Sequence, residues 1–378
     1  MLIDRKMLGS WIGVFCLAAG DDWAWRFMSP PRARKRWPNA GSLVGIVILF
    51  CLPAGAQDIN LGSSLQVNGS ASVAAGVATL TNNFAQAGSI FATQKQCITN
   101  YHSVFDFQET PINTTTPVAD GVTFTVQNDS RGATALGAGG GSLGYLDAFG
   151  FSTNGIKSSV ASGLDYGYNN FGEGVNSLDL LENGNTALSF LNPSPIDFRN
   201  TDVKHVDETY NSSTKVLGVT ITDNTTHLSY SHTYTGIDIP TIVGGNTAYV
   251  GFTGGTGAFA AIQKISNWTF TSPPPIISSV SASPNTLWPP NQKFVDVTVS
   301  YGTSDTCSAP VCTLSVSSNE PGDGVEWQIV DAHHVKLLAD RNGNGNGRIY
   351  TILITCKDAG GNVSTATVAV TVAHDQGN

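Results

Sequence analysis

"GGNTAYVGFTGGTGAFAAIQKISNWTF", residues 244–270, holds two strand-like runs with a glycine loop between them. Ala248, Val250 and Phe252 alternate with smaller or polar neighbours, the period-two pattern of a half-buried strand. Gly254, Gly255 and Gly257 interrupt that pattern, and a second alternating run from Ile262 to Phe270 carries Trp268. Glycine reaches positive φ without steric cost, so the loop can be a plain turn. It also lets backbone N–H groups come close to a ligand. The same grammar recurs in "GVTFTVQ" (121–127) and "KVLGVTITD" (215–223). No helical period is visible, and the chain reads as all-β.

The bulk numbers agree. Only 12% of the 378 residues are charged and 41 are glycine, which suits sheets joined by many turns. The length allows two domains at roughly 150 residues each. "TSPPPIISS", residues 271–279, marks the boundary, because consecutive prolines favour an extended connector. Beyond it, Val295, Val297, Val299 and Tyr301 alternate, as do Val368, Val370 and Val372. Turn signals such as "EPGDG" and "DAGGN" separate these runs, a pattern that suits an immunoglobulin-like sandwich over 280–378.

Residues 1–56 read as an export region. A basic stretch after Met28 precedes an apolar run from Leu43 to Leu52, and Ala54-Gly55-Ala56 supplies a cleavage pattern. Met28 is the expected start and Gln57 the first mature residue. The run is too short to span a bilayer core of about 30 Å, so no stable membrane insertion is expected after cleavage. The formal charge is −9, and −13 without the export region. That acidity argues against nucleic acid and anionic membrane as partners. Four cysteines remain: Cys97, Cys307, Cys312 and Cys356. Export implies oxidising conditions, and a disulfide is expected among the last three. Sequence does not say which two pair.

Chemistry has two candidate locations. Asp120 stands just before a strand, and Gly139-Gly140-Gly141 precede a second apolar stretch. A carboxylate opposite a glycine-rich backbone can clamp vicinal sugar hydroxyls, accepting their protons while a backbone N–H donates. Ordinary turns are the competing reading. Asp165, Asn169, Asn170 and Glu173 then group hard oxygen ligands on one loop, as calcium requires. A solvated polar loop is the alternative there. Gly140-Gly141-Ser142-Leu143-Gly144 fits the G-x-S-x-G pattern, but the following residues do not read as the helix that a nucleophile elbow needs. "DRNGNGNGR" (340–348) imitates the start of a calcium loop, yet its twelfth position is Thr351, so a hairpin turn is expected.

"VADGVTFTVQ", "GGGSLGYLDAF", "NNFGEG", "VLGVTITD" and the 244–270 segment occur in the order seen in the legume-type lectin family. The chain resembles that family, and its bacterial secreted members most, over roughly residues 58–270. The resemblance implies a concanavalin-like jelly-roll β-sandwich in residues 57–270 that binds carbohydrate without changing it. It implies that Asp120 accepts sugar hydroxyls and that Gly140 or Gly141 donates an N–H. Asn170 would touch sugar and calcium, and Gly254, Gly255 and Thr256 would form the variable rim. Calcium would sit on Asp165, the Tyr168 carbonyl, Asn170 and Glu173. Where legume members carry a transition-metal Glu this chain has Gly163, and no His follows in the loop, which puts that metal in doubt. The second domain resembles immunoglobulin-like modules of secreted bacterial proteins. A secreted or surface glycan-binding protein is the expected function. The alternatives are an adhesive protein with a lost site and, further off, a glycoside hydrolase.

Overall fold

A strand that is apolar on one side needs a second sheet to cover it, and the chain builds two such sandwiches. The computed structural model describes residues 59–148, 153–167, 174–320, 322, 324–345 and 347–373. The expected export region lies outside them.

The first sandwich pairs two eight-stranded sheets. The back sheet runs in the order Ser229–Thr235, Val216–Asp223, Lys204–Asn211, Asn100–Pro111, Ala261–Thr271, Val77–Thr81, Ser72–Ala74, with Ile59–Asn60 beside Ala261–Thr271. The front sheet runs Thr186–Leu191, Ser177–Glu182, Ser159–Asp165, Gly121–Gln127, Thr247–Gly255, Ala87–Ala92, Leu65–Gly69, with Gln96–Cys97 beside Thr247–Gly255. Inward side chains from both sheets form one core that includes Phe105, Phe124, Val250, Phe252 and Phe270. Trp268 is buried there, meets Phe252 edge-on at 4.9 Å, and donates its indole N–H to Ser103 Oγ at 3.2 Å.

Two departures from the simple alternating pattern have local causes. In Ala261–Thr271 the inward positions are 261, 263 and 265, then 268 and 270. Asn267 takes φ +52° at an interruption of the pairing, and the extra residue shifts the parity, so Ile262 points outward. Gly121–Gln127 and Ser159–Asp165 are buried at every position, where alternation predicts one exposed face. Residues 129–148 and 153–157 fold over the front sheet and pack Ala135, Leu143, Tyr145 and Ile156 against Phe91, Ala161 and Leu181. Arg131 pins this layer, donating to both Asp129 carboxylate oxygens and to the carbonyls of Leu136, Asn154 and Gly155.

One short helix, Ile239–Val243, was not legible as a period. It has five residues, Pro240 in its first turn, and an Asp238 side chain that accepts from the Thr241 N–H.

The second sandwich pairs two four-stranded sheets. One contains Ile276–Ser283, Phe294–Ser304, His334–Leu338 and Trp327–Ile329; the other contains Thr286–Leu287, Val363–Val372, Arg348–Lys357 and Val311–Ser318. Val297, Val299, Val335, Leu337, Ile352, Ile354 and Val370 fill the space between. The "DRNGNGNGR" segment joins His334–Leu338 to Arg348–Lys357, which belong to different sheets. It is a crossover, and not the expected hairpin. Cys312 pairs with Cys356 across neighbouring strands, while Cys307 bonds to Cys97 of the first sandwich.

Candidate carbohydrate-binding cleft

At one end of the first sandwich the chain leaves a cleft of about 610 Å³, lined by Pro117, Val118, Ala119, Asp120, Tyr166, Val175, Asp197, Arg199, Asn200 and Phe259. Asp120 is fixed in it by its own backbone. Its N–H donates to the Gly255 carbonyl at 3.1 Å, its carbonyl accepts from the Tyr166 N–H at 2.9 Å, and the Ala119–Asp120 peptide is cis. Its side chain is 7% exposed and Oδ2 has no hydrogen-bond partner. Burial pushes this carboxyl up to about 6; the Gly257 amide close by partly offsets that, though it donates to the Phe259 carbonyl at 3.1 Å. A buried polar atom without a partner is costly. Asp120 itself lines the cleft, so a small shift of its side chain would offer this acceptor to a ligand hydroxyl.

The glycine arch stands beside Asp120. Gly140–Ser142 forms a single 3₁₀ turn, with Gly140 at φ +65°. A methyl group at Gly257 would lie 3.3 Å from Gly140 Cα and 3.4 Å from Asp120 Oδ2, so these three meet closely. Gly140 donates its amide to the Thr256 carbonyl at 2.9 Å. Of the two expected sugar donors, Gly141 is the one not committed to that bond.

The loop of 254–260 divides in two. Gly254, Gly255 and Thr256 are buried, and Thr256 Oγ1 donates to the Asn83 carbonyl at 2.6 Å while accepting from the Gln86 N–H at 3.0 Å. They seat the arch from behind. The exposed part is Ala258 and Phe259, with Phe259 49% exposed. Phe259, Val175, Asp197, Arg199 and Asn200 were not singled out in the sequence. An exposed aromatic between two alanines was the one available signal.

Arg199 donates through Nε and Nη2 to the two oxygens of Asp197, at 2.9 Å each, and holds that carboxyl below the usual carboxylate range. With both oxygens engaged, Asp197 is a poor base or nucleophile. The Ser142 hydroxyl donates to the Asp147 carbonyl at 3.0 Å from a 3₁₀ turn, so no nucleophile elbow is built.

Glu109, which interacts electrostatically with the cleft residues Asp197 and Tyr166, is 1% exposed and neither carboxylate oxygen has a partner. Burial pushes its carboxyl up to about 8 against the opposing pull of Lys204. Its folded value lies above its unfolded one, so the native state binds more protons and loses stability as pH rises through about 8. Glu109→Gln is expected to flatten this loss. Thermal melts should show a gain of about 2–4 kcal/mol at pH 9 and little change at pH 5. An equal gain at both pH values would contradict the assignment.

A shallow cleft with one unpartnered carboxylate and a glycine arch, set among loops on a jelly-roll sandwich, defines a protein of the lectin class. Residues 57–285 match the legume lectin domain family, and the chain belongs to that family. Lectin II from Ulex europaeus has 20% identity and a TM-score of 0.48, covering 57% of this chain and 98% of its own. Winged bean acidic lectin complexed with methyl-α-D-galactose has 21% identity and a TM-score of 0.49, covering 57% and 98%. The lectin from Bauhinia forficata in complex with GalNAc has 19% identity and a TM-score of 0.48, covering 57% and 97%.

Legume lectins typically bind calcium and manganese. Manganese does not fit the described residues here. Gly163 has no carboxylate and sits opposite Asp179, whose Oδ1 accepts from Ser177 Oγ at 2.6 Å. Among the described residues no three His, Cys, Asp or Glu group together as a metal site. Of the expected calcium ligands only Asp165 is described; it is buried and accepts the Gly167 N–H at 2.9 Å. Tyr168, Asn170 and Glu173 lie outside the described residues.

Proposed function

We propose that the protein is a non-enzymatic lectin that binds uncharged glycans in the Asp120 cleft. The observation that carries this is Asp120, a carboxylate residue that lines the cleft and keeps one oxygen, the buried Oδ2, without a hydrogen-bond partner. Ionised Asp120 accepts hydrogen bonds from two hydroxyls of one sugar ring, and the Gly141 amide donates to a neighbouring oxygen. Phe259, Val118 and Val175 cover the apolar C–H face of the ring. Two carboxylates against one guanidinium leave the cleft net negative, which disfavours anionic sugars. Calcium on the Asp165 loop belongs to the proposal. Secretion through the export region belongs to it as well.

Competition by free sugars on immobilised neutral glycans tests the reading. The full chain should be held and then eluted by one class of neutral sugar, and calcium chelation should weaken retention. Retention that no free sugar competes would count against a glycan site. Phe259→Ala is expected to reduce affinity about 5–10-fold by calorimetry without changing the melting temperature, since the ring is exposed in the free protein. An unchanged affinity would remove Phe259 from the site.

A further inference from the structure

Nothing in the sugar-binding proposal uses the second sandwich, yet the chain holds it in place by two independent routes. The first is covalent: Cys97 and Cys307 join positions 210 apart in sequence. Beside that bond Thr99 Oγ1 and Thr306 Oγ1 share a hydrogen bond of 2.6 Å, and Asn246 Nδ2 donates to the Thr306 carbonyl at 3.1 Å. The second route runs along the connector. Asn362 Nδ2 donates to Ser272 Oγ at 2.8 Å, and Ser364 Oγ donates to the Pro275 carbonyl at 2.5 Å. Gly360 leaves room between them, since a methyl group there would lie 3.2 Å from the Cys97 nitrogen. Ser272, Asp358 and Asn362 are buried at this junction. A connector alone would act as a hinge. A second attachment on a separate stretch of chain removes the rotation.

The junction lies at the end of the first sandwich away from the cleft. Cys97 pairs with Thr247, the first residue of the strand Thr247–Gly255. Gly255, the last, accepts the Asp120 N–H. Eight steps of roughly 3.3 Å separate the two ends by about 25 Å. The next strand in the chain, Ala261–Thr271 of the opposite sheet, also runs from the cleft loop to the connector.

We propose that the second sandwich is a rigid spacer, locked to the end of the lectin sandwich opposite the cleft. It fixes the distance and direction at which the cleft is presented to glycans on a facing surface. A fixed presentation avoids the ordering entropy that a flexible tether gives up on each surface contact.

Small-angle X-ray scattering and amide exchange on the oxidised full chain, beside Cys97→Ser/Cys307→Ser, test this. The parent is expected to fit one arrangement of the two sandwiches. The variant should show a broadened distance distribution and exchange across residues 358–362 faster by at least about tenfold. Its affinity for free glycan should stay within about twofold, because the cleft is remote. A second variant, Thr306→Ala/Asn362→Ala, keeps both disulfides and should scatter like the parent until reduced. Parent scattering that needs an ensemble of arrangements would overturn the proposal, as would unchanged scattering and exchange in the disulfide variant. Both readouts need no sugar, so a failure of the glycan proposal leaves them intact.

Discussion

Asp120→Asn is expected to make the protein more stable while removing its glycan binding. The Asp120 carboxyl titrates at about 6, above its ordinary value of 3.8. The native state therefore binds more protons than the unfolded chain in that window, and stability contributed by the protonated form is lost as pH rises through about 6. At pH 7.5 the ionised, buried group is a liability, and its neutral isostere should add about 1–3 kcal/mol. Binding goes the other way. Hydrogen bonds to a charged acceptor contribute roughly 1.5–3 kcal/mol each, so losing two of them costs about 100-fold or more in affinity. In the parent, affinity should fall about tenfold per pH unit below about 6, as the carboxylate is protonated. Melting curves and calorimetry at pH 7.5 measure both effects. A variant that loses stability and binding together would mark Asp120 as a structural residue.

Gly255→Ala is the second large effect, and it acts without touching a ligand. A methyl group there would meet the Gly140 carbonyl oxygen at 2.6 Å, with Gly144 N and Leu143 Cα at 3.0 Å. All three are backbone atoms, so no side-chain rotation relieves the overlap. The arch must move off its seat and away from Asp120. Overpacking of this kind costs about 1–3 kcal/mol, and the displaced arch should lower glycan affinity at least about tenfold. Gly343→Ala serves as the control, because nothing lies within 4 Å of a methyl group at that position. It should shift stability by less than about 0.5 kcal/mol. Equal behaviour of the two variants would show that the arch does not depend on close packing at Gly255.

The fold was legible where period two survives. Phe252, Trp268, Val297 and Val370 all face the cores their alternation predicts. It was illegible where a third layer or a bulge intervenes. Thr123 and Thr125 look like solvent-facing positions of a half-buried strand, yet the Thr123 hydroxyl bonds to Thr253, which donates to the Leu143 carbonyl of the covering layer. Sequence singles out Asp120 and the glycine arch because a carboxylate and backbone amides are the parts such chemistry needs, and the fold brings the two close together around Gly257. Of the expected rim, Gly254, Gly255 and Thr256 are buried, while Ala258 and Phe259 just after them are exposed. Whether a glycine is buried against backbone, as Gly255 is, or stands free depends on neighbours far away in sequence. The Cys97–Cys307 bond was missed for the same reason: a disulfide was expected among Cys307, Cys312 and Cys356, and nothing local in the sequence brings Cys97 to Cys307.

The central claim is that Asp120 makes this chain a glycan-binding protein, and a glycan array tests it most directly. The folded full chain is applied at pH 7.5 with calcium supplied, at pH 5, and beside Asp120→Asn at pH 7.5. The account predicts binding confined to uncharged glycans at pH 7.5, weakened at pH 5 and absent from the variant. A folded parent that holds no glycan, or a variant that keeps the parent's pattern, would contradict it.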